Sequence, residues 1–398
     1  MQVMDVDEVV VLGTSSPSAV VRMNSSGEGK ASYANNSDFQ RAIASVTRKV
    51  RRDMAAALYR ARGRPASLAI ADLGCATGPN ALLMVSDAVE AVLAESRNNK
   101  AGAGAPPPQL HVFLNDLPAN DFNAVFRLLP SSPLAAAGCL VSAWPGSFYG
   151  RLFPDDSLDY VVSSSSLHFL SKVFFCHACS KCAVDGDGES EQGRVYVSAG
   201  SPAGVLDAYR AQFDSDFLAF LGCRAAETRP RGVLLLTFVA RRSPRPAAHD
   251  CYLWDLLADA LMGMAAAGLV DEGQVHAFNA PYYAPCPDDL ARAVAKEGSF
   301  SVRTMRLFDT TRRPAAGNGI HGGGDDGDEL PRWLAGETAG TIRAVVEPML
   351  RTHFGWAAMD GIFCRYRILL EAYYRSKATR NKDDITNVFL VLEKKQHY

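Results

Sequence analysis

The segment Ala69-Ile70-Ala71-Asp72-Leu73-Gly74-Cys75-Ala76-Thr77-Gly78-Pro79-Asn80 constrains the fold more than any other stretch of this chain. It joins a buried-strand pattern to a glycine turn and a helix start. Leu68 to Leu73 is a short, largely apolar strand with an acid near its end, Gly74 and Gly78 let the backbone turn sharply and approach a ligand, and Pro79 suits the first position of a helix. Further strands are expected at Leu110 to Asp116, Gly138 to Ala143, Leu158 to Ser163, Arg194 to Ala199, Val233 to Ala240 and Thr386 to Leu392, with helical segments between them. Alternation of this kind predicts an α/β fold, a Rossmann-like doubly wound and mostly parallel sheet.

A glycine turn after a strand is not by itself a binding site, because many such connections need a positive φ and bind nothing. The second acid adds weight. Leu110-His111-Val112-Phe113-Leu114-Asn115-Asp116 is another apolar strand ending in a carboxylate, placed where it can accept both hydroxyls of a ribose. The Asp-x-Gly-x-x-x-Gly spacing, unlike Gly-x-Gly-x-x-Gly, favours S-adenosylmethionine over a dinucleotide. The interval between the acids exceeds the usual stretch of about twenty residues, and the excess reads as a helix from Ala81 to Glu95 and an Ala/Gly/Pro loop from Ala101 to Pro108.

At 398 residues with 48% hydrophobic and 21% charged side chains, the chain can bury one large core or two modest ones. Its net charge of −2 offers no basic footprint for nucleic acid or an anionic membrane, so a small molecule is the expected partner. No apolar run approaches the eighteen or so residues that span a bilayer. Nine scattered cysteines and an acidic N-terminus without a signal pattern predict a reduced, cytoplasmic protein.

Residues 1–31 are polar and aperiodic and read as a mobile leader, followed by a core over 32–250. Phe39, Ile43, Val46, Val50, Met54 and Leu58 recur at helical spacing, and Ser37-Asp38-Phe39-Gln40 has the form of a capping box. A helical cap is expected over 251–354, broken at Phe278-Asn279-Ala280-Pro281-Tyr282-Tyr283 and including a Gly/Asp-rich loop at 314–328 too polar to pack. Residues 355–398 should return as a helix and the last strand of the core sheet.

Six ordered motifs resemble those of the plant SABATH methyltransferases, which methylate carboxylates of small acids or ring nitrogens of xanthines. They are Ser32-Tyr33-Ala34-Asn35-Asn36-Ser37 with Gln40; Ala71-Asp72-Leu73-Gly74-Cys75; Phe113-Leu114-Asn115-Asp116-Leu117-Pro118; Gly146-Ser147-Phe148-Tyr149-Gly150-Arg151-Leu152-Phe153-Pro154; Ser163-Ser164-Ser165-Ser166-Leu167-His168-Phe169-Leu170-Ser171; and Glu347-Pro348-Met349-Leu350. The resemblance implies that Tyr33, Ser37, Asp72, Gly74, Cys75, Asn80, Asp116, Leu117, Ser147 and Phe148 surround S-adenosylmethionine. It further implies that Tyr33, Gln40, Ser165, His168 and Phe169 meet the substrate, and that the protein is a homodimer. No catalytic residue is expected: a carboxylic acid is already ionised at neutral pH and is its own nucleophile. Structural roles compete with several of these assignments, since Ser37 and Gln40 also fit a helix cap, Cys75 a small core residue and Phe148 a core aromatic.

Two departures from the family pattern bear on function. Phe169 stands where the family usually has a tryptophan, so an indole N–H that would donate to the substrate carboxylate is missing. Glu191, His276, Phe278 and Asn279 stand at positions that surround Mg²⁺ in many members, and imidazole in place of a hard oxygen ligand disfavours that ion. No required metal is expected. Cys176, Cys179 and Cys182 with His177 lack a distant second ligand pair and are not read as a zinc site. Substrate acids are ranked jasmonate-like first, then salicylate, benzoate or indole-acetate. A cofactor-binding homologue that has lost catalysis and an N-methyltransferase of xanthines are the alternatives; an NAD-dependent oxidoreductase is disfavoured by the glycine spacing.

Overall fold

The computed structural model describes residues 37–98, 106–172, 193–311, 329–379 and 382–396. Tyr33, Glu191, the Cys176 to Cys182 cluster, the leader and the loop at 314–328 lie outside these residues. Seven strands form one sheet: β1 (Ser67–Leu73), β2 (Gln109–Asp116), β3 (Leu140–Pro145), β4 (Leu158–Ser164), β5 (Thr228–Val239), β6 (Phe300–Thr310) and β7 (Ile385–Lys394). Their order is β3-β2-β1-β4-β5-β7-β6, with β7 antiparallel to β5 and β6 and the other pairs parallel. The chain therefore reverses its direction of winding between β1 and β4, the switch point at which open α/β sheets form a crevice beyond their strand ends.

Central strands are apolar on both faces because helices cover both. Leu158 to Ser163 of β4 and Val388 to Leu392 of β7 are buried throughout. One face carries α1 (Asp38–Ala61) and α2 (Pro79–Arg97), whose buried side chains Ala44, Ala55, Leu58, Val85, Val89 and Val92 join Ile70, Val112 and Val162 of the sheet. The short α3 (Phe122–Leu128) and α4 (Pro133–Ala136) follow β2. Arg51 of α1 is completely buried and pairs with Asp87 of α2, while Tyr160 of β4 donates to the Arg51 carbonyl at 2.9 Å. A buried charge is tolerated there because Thr47 and Asp87 answer its two terminal nitrogens.

On the other face, α5 (Ala203–Glu227) lays Phe213, Phe217 and Phe220 against the sheet, and α8 (Pro287–Glu297) packs on α5. Helices α6 (Ala248–Ala266), α7 (Glu272–Ala277), α9 (Glu329–Phe354) and α10 (Met359–Arg375) form a layer above the strand ends, with α10 against both α9 and α6.

Two expectations fail here. Arg194 to Ala199 is not a strand: Val195, Tyr196 and Val197 are buried, but the Tyr196 ring packs between Tyr209, Trp254 and Tyr282, and the Val195 carbonyl takes its hydrogen bond from Ala280 N–H at 2.7 Å. Apolar residues in a short run mark burial, not ladder pairing. Conversely β6 escaped notice, because as an edge strand it mixes polar with apolar residues and is buried only at its two ends, with Arg303 bonded to Glu393 of β7.

Candidate active site

The turn after β1 and the end of β2 are locked together. Gly74 and Cys75 both donate backbone N–H to the Asn115 carbonyl at 2.9 Å, and the Asp116 carboxylate accepts from Ala76 N–H at 2.6 Å and from Leu117 N–H at 2.7 Å. Gly74 has a φ of +78°, and a Cβ there would come within 2.3 Å of the Ser166 hydroxyl, so only glycine fits. Gly78, with φ +101°, opens α2 without a side chain to cap its first-turn amides. Asn80 donates to the Ser37 carbonyl at 3.1 Å, and its buried Oδ1 has no hydrogen-bond partner.

The loop after β3 closes the far side. Asn115 donates to the carbonyls of Trp144 and Gly146, Gly146 N–H donates to the Asp116 carbonyl at 2.9 Å, and the Phe148 ring edge lies over Gly74. Ser147 is exposed and accepts from Tyr149 N–H through its hydroxyl. Ser37, Gly74, Cys75, Asn80, Asp116, Leu117, Ser147 and Phe148 are thus gathered around one crevice at the switch point.

Burial dominates the electrostatics. The Asp72 carboxyl is pushed up to about 8, first by loss of solvent and then by the neighbouring Asp116 carboxylate, with Arg51 opposing. Asp116 is also raised by burial, held back by its two backbone donors. Cys75 is driven far above the range of a reactive thiol by burial and by both acids, so it acts as a small wall and not as a nucleophile.

Adjoining this crevice, between the ends of β4 and β5 and the helical layer, lies a mostly apolar pocket. Gln40, Ser165, His168 and Phe169 line it, together with Trp254, Tyr282, Ile342 and Val345. Ser165 has a φ of +58°, and its buried hydroxyl has no partner; a strained residue held against a pocket with an unanswered polar atom is characteristic of a ligand site. The structure decides the charge of His168. Complete burial lowers it to about 3, so it is neutral, and its Nδ1 accepts from Val239 N–H at 3.2 Å, which leaves Nε2 as the N–H donor. It offers a hydrogen bond, never a cation.

The capping box at Ser37 and Gln40 is also absent: the Ser37 side chain makes no cap hydrogen bond, and Gln40 Oε1 is buried without a partner. Phe169 packs against His168 and Tyr282, and its carbonyl accepts the Tyr149 hydroxyl at 2.6 Å. His276, Phe278 and Asn279 are not among the lining residues. The His276 Nδ1 accepts from Gly193 N–H at 2.8 Å, Nε2 faces Glu272, and Phe278 is packed with Phe354. Among the described residues no cluster of three His, Cys, Asp or Glu is arranged to hold a metal. Tyr282 and Trp254 were not predicted as site residues; an aromatic pair in a proline-broken segment was the available signal for Tyr282.

A sheet with this strand order, an acid-and-glycine cradle at its switch point and an adjoining apolar pocket define an α/β methyltransferase of the class I kind. The chain belongs to the S-adenosylmethionine-dependent carboxyl methyltransferases, the SABATH family, whose model matches residues 18–395. It is 40% identical to a jasmonate O-methyltransferase of Arabidopsis thaliana, over 91% of this chain and 96% of that one. It is 38% identical to a salicylate carboxymethyltransferase of Clarkia breweri, over 93% and 96%. Among solved structures, a loganic acid methyltransferase with S-adenosylhomocysteine superposes with a TM-score of 0.76 at 27% identity, covering 94% of this chain and 99% of that one. The protein is an S-adenosylmethionine-dependent O-methyltransferase.

Proposed function

We propose that the protein forms the methyl ester of a small, non-planar carboxylic acid of the jasmonate kind, with salicylate, benzoate or indole-acetate as poorer substrates. The observation that carries this reading is the apolar pocket with a few uncommitted polar groups: small Ser165 leaves space, and Gln40 and the neutral His168 supply hydrogen-bonding groups without a cation. Its similarity to a jasmonate O-methyltransferase supports the ranking.

The cradle suits the cofactor: Gly74 admits close backbone approach, Asn80 Oδ1 awaits a donor, and each Asp116 carboxylate oxygen accepts only one backbone N–H and so has capacity for another donor. Asp116 would hold the ribose, Ser147 and Phe148 the adenine, and Ser37, Asn80 and Tyr33 the methionine end, with Asp72, Gly74, Cys75 and Leu117 shaping the walls. When bound there, S-adenosylmethionine supplies a methyl group activated by its sulfonium. The residues of this chain do the rest by alignment. Gln40 and His168 orient the carboxylate, Phe169, Tyr282 and Trp254 exclude water, and proximity alone contributes roughly 7–11 kcal/mol. No general base is needed. We also read the enzyme as a homodimer that needs no divalent ion, the imidazole of His276 being committed to Gly193.

A screen of carboxylic acids with methyl-labelled cofactor tests the ranking, which is overturned if salicylate or benzoate exceeds jasmonate tenfold. In the same assay EDTA should leave turnover unchanged, and loss restored by Mg²⁺ would refute metal independence. Phe169→Trp restores an indole donor worth about 1.5–3 kcal/mol toward a charged acceptor, so catalytic efficiency should rise at least several-fold. Absence of transfer to any acid, even by this variant, would favour a non-catalytic binding protein.

A further inference from the structure

The pocket contains a polar pair that the methyl-transfer reading does not use. His249, in the first turn of α6, and Asp384, just before β7, both line it. His249 Nε2 lies 3.4 Å from Asp384 Oδ1, yet both ring nitrogens are buried and neither makes a hydrogen bond. The ring is held in place by stacking on Tyr252 at 5.6 Å and 7°, and the Tyr252 hydroxyl contacts that of Tyr374 at 3.2 Å. A buried polar group without a partner costs about 1–3 kcal/mol, and one rigidly presented to a ligand pocket has a natural use.

Its position says where on a substrate the partner belongs. The reacting carboxylate must lie beside the cofactor crevice, at the ends of β1 and β4. Asp384 marks the same rim at β7, because β7 runs antiparallel to β5 and Ala240 N–H bonds to the Thr386 carbonyl. β5 lies between β4 and β7, so two strand spacings of ~4.8 Å separate the two ends of the pocket by about 10 Å. The sign of the charge is constrained as well. Asp384 and Asp250 both line this end, so a second carboxylate on the substrate would be repelled.

Building on the carboxylic-acid reading above, we infer that His249, stacked on Tyr252 beside Asp384, is a specificity-determining residue that binds an uncharged oxygen, a ketone or hydroxyl, on the part of the substrate remote from the reacting carboxylate. An ortho hydroxyl next to the carboxylate is too near to reach it. A ring oxygen several atoms away meets it.

Three acids separate this from its alternatives: 2-pentylcyclopentaneacetic acid carrying at ring position 3 a ketone, a hydroxyl, or only hydrogen. The wild-type enzyme should methylate the better oxygenated acid with kcat/KM at least tenfold above the des-oxy acid, a hydrogen-bond-sized preference. His249→Phe should collapse that ratio to about one by lowering only the oxygenated substrate. His249→Gln, which keeps a donor and an acceptor, should retain part of it. Equal wild-type rates on all three acids would overturn the anchor while leaving carboxyl methylation intact, and so would a ratio unchanged in a folded His249→Phe variant. Failure of the wild type to methylate any of the three would instead remove the jasmonate-like reading on which the anchor rests.

Discussion

Gln40 illustrates how the fold removes one of two roles that the sequence allows a side chain. Ser37 and Gln40 have the spacing of a capping box, and a cap would contribute about 1 kcal/mol to helix stability. In the structure Ser37 makes no such bond and the Gln40 Oε1 is buried, unpaired and on the pocket wall. Removing a buried, unanswered acceptor does not destabilise. Gln40→Met should therefore melt at or above the wild-type temperature while kcat/KM falls at least tenfold, through loss of a hydrogen bond to a charged carboxylate. A drop of several degrees in melting temperature with unchanged kinetics would return Gln40 to a structural role. The amino-acid order placed Gln40 near the site. Its freedom from the helix depends on backbone geometry that no spacing encodes.

The loop between β3 and β4 shows the same division for a whole segment. Its motif, Gly146 to Pro154, contains no regular structure of its own and is held by α5. Arg224 donates to the Phe148 carbonyl at 2.9 Å and the Gly150 carbonyl at 3.0 Å, and Glu227 accepts from Leu152 and Phe153 N–H at 2.6 and 3.1 Å. Arg224 and Glu227 bond to each other at 2.9 Å and are fully buried. Removing one partner of such a pair costs about 3–5 kcal/mol, so Arg224→Met should lower stability by roughly that amount. Replacing both, Arg224→Met with Glu227→Gln, should recover most of the stability yet leave the cofactor dissociation constant raised about tenfold, because Ser147 and Phe148 lose their tethers. Denaturant titration and calorimetry read the two effects separately. An unchanged dissociation constant in the folded double variant would mean that the loop holds its shape unaided.

Across the sheet as a unit, the two acids at the switch point make the protein's stability depend on pH. Asp72 is raised to about 8 chiefly by burial, whereas an exposed Asp titrates near 3.9. Between those values the folded chain carries a proton that the unfolded chain has lost. Stability contributed by the protonated form is therefore present in acid and lost as pH rises toward and through 8. The melting temperature of the ligand-free protein should fall from pH 6 to pH 8.5, and Asp72→Asn should flatten that slope. Equal slopes in the two proteins would place the titration elsewhere. A bound sulfonium reverses the balance by favouring both carboxylates in their charged form, so cofactor binding at neutral pH should release protons, visible as a dependence of binding heat on buffer ionisation enthalpy.

The strand-turn-helix unit at Asp72 to Asn80, the second acid at Asp116 and most of the parallel sheet were legible in the residues, because each is written locally: a run of apolar side chains, a glycine where φ must be positive, an acid at a strand end. Arg194 to Ala199 was misread and β6 missed for a related reason, since hydrophobicity reports burial and neither segment's hydrogen bonding follows from it. The pairings that give the site its chemistry lie far apart in sequence. His168 is neutral only because the fold buries it against Val239, Gln40 is free only because helix α1 starts without its cap, and His249 meets Asp384 only because β7 returns beside β5. Local sequence sets which backbone conformations are accessible, but desolvation and long-range contact set which polar groups are answered, and those are properties of the packed chain.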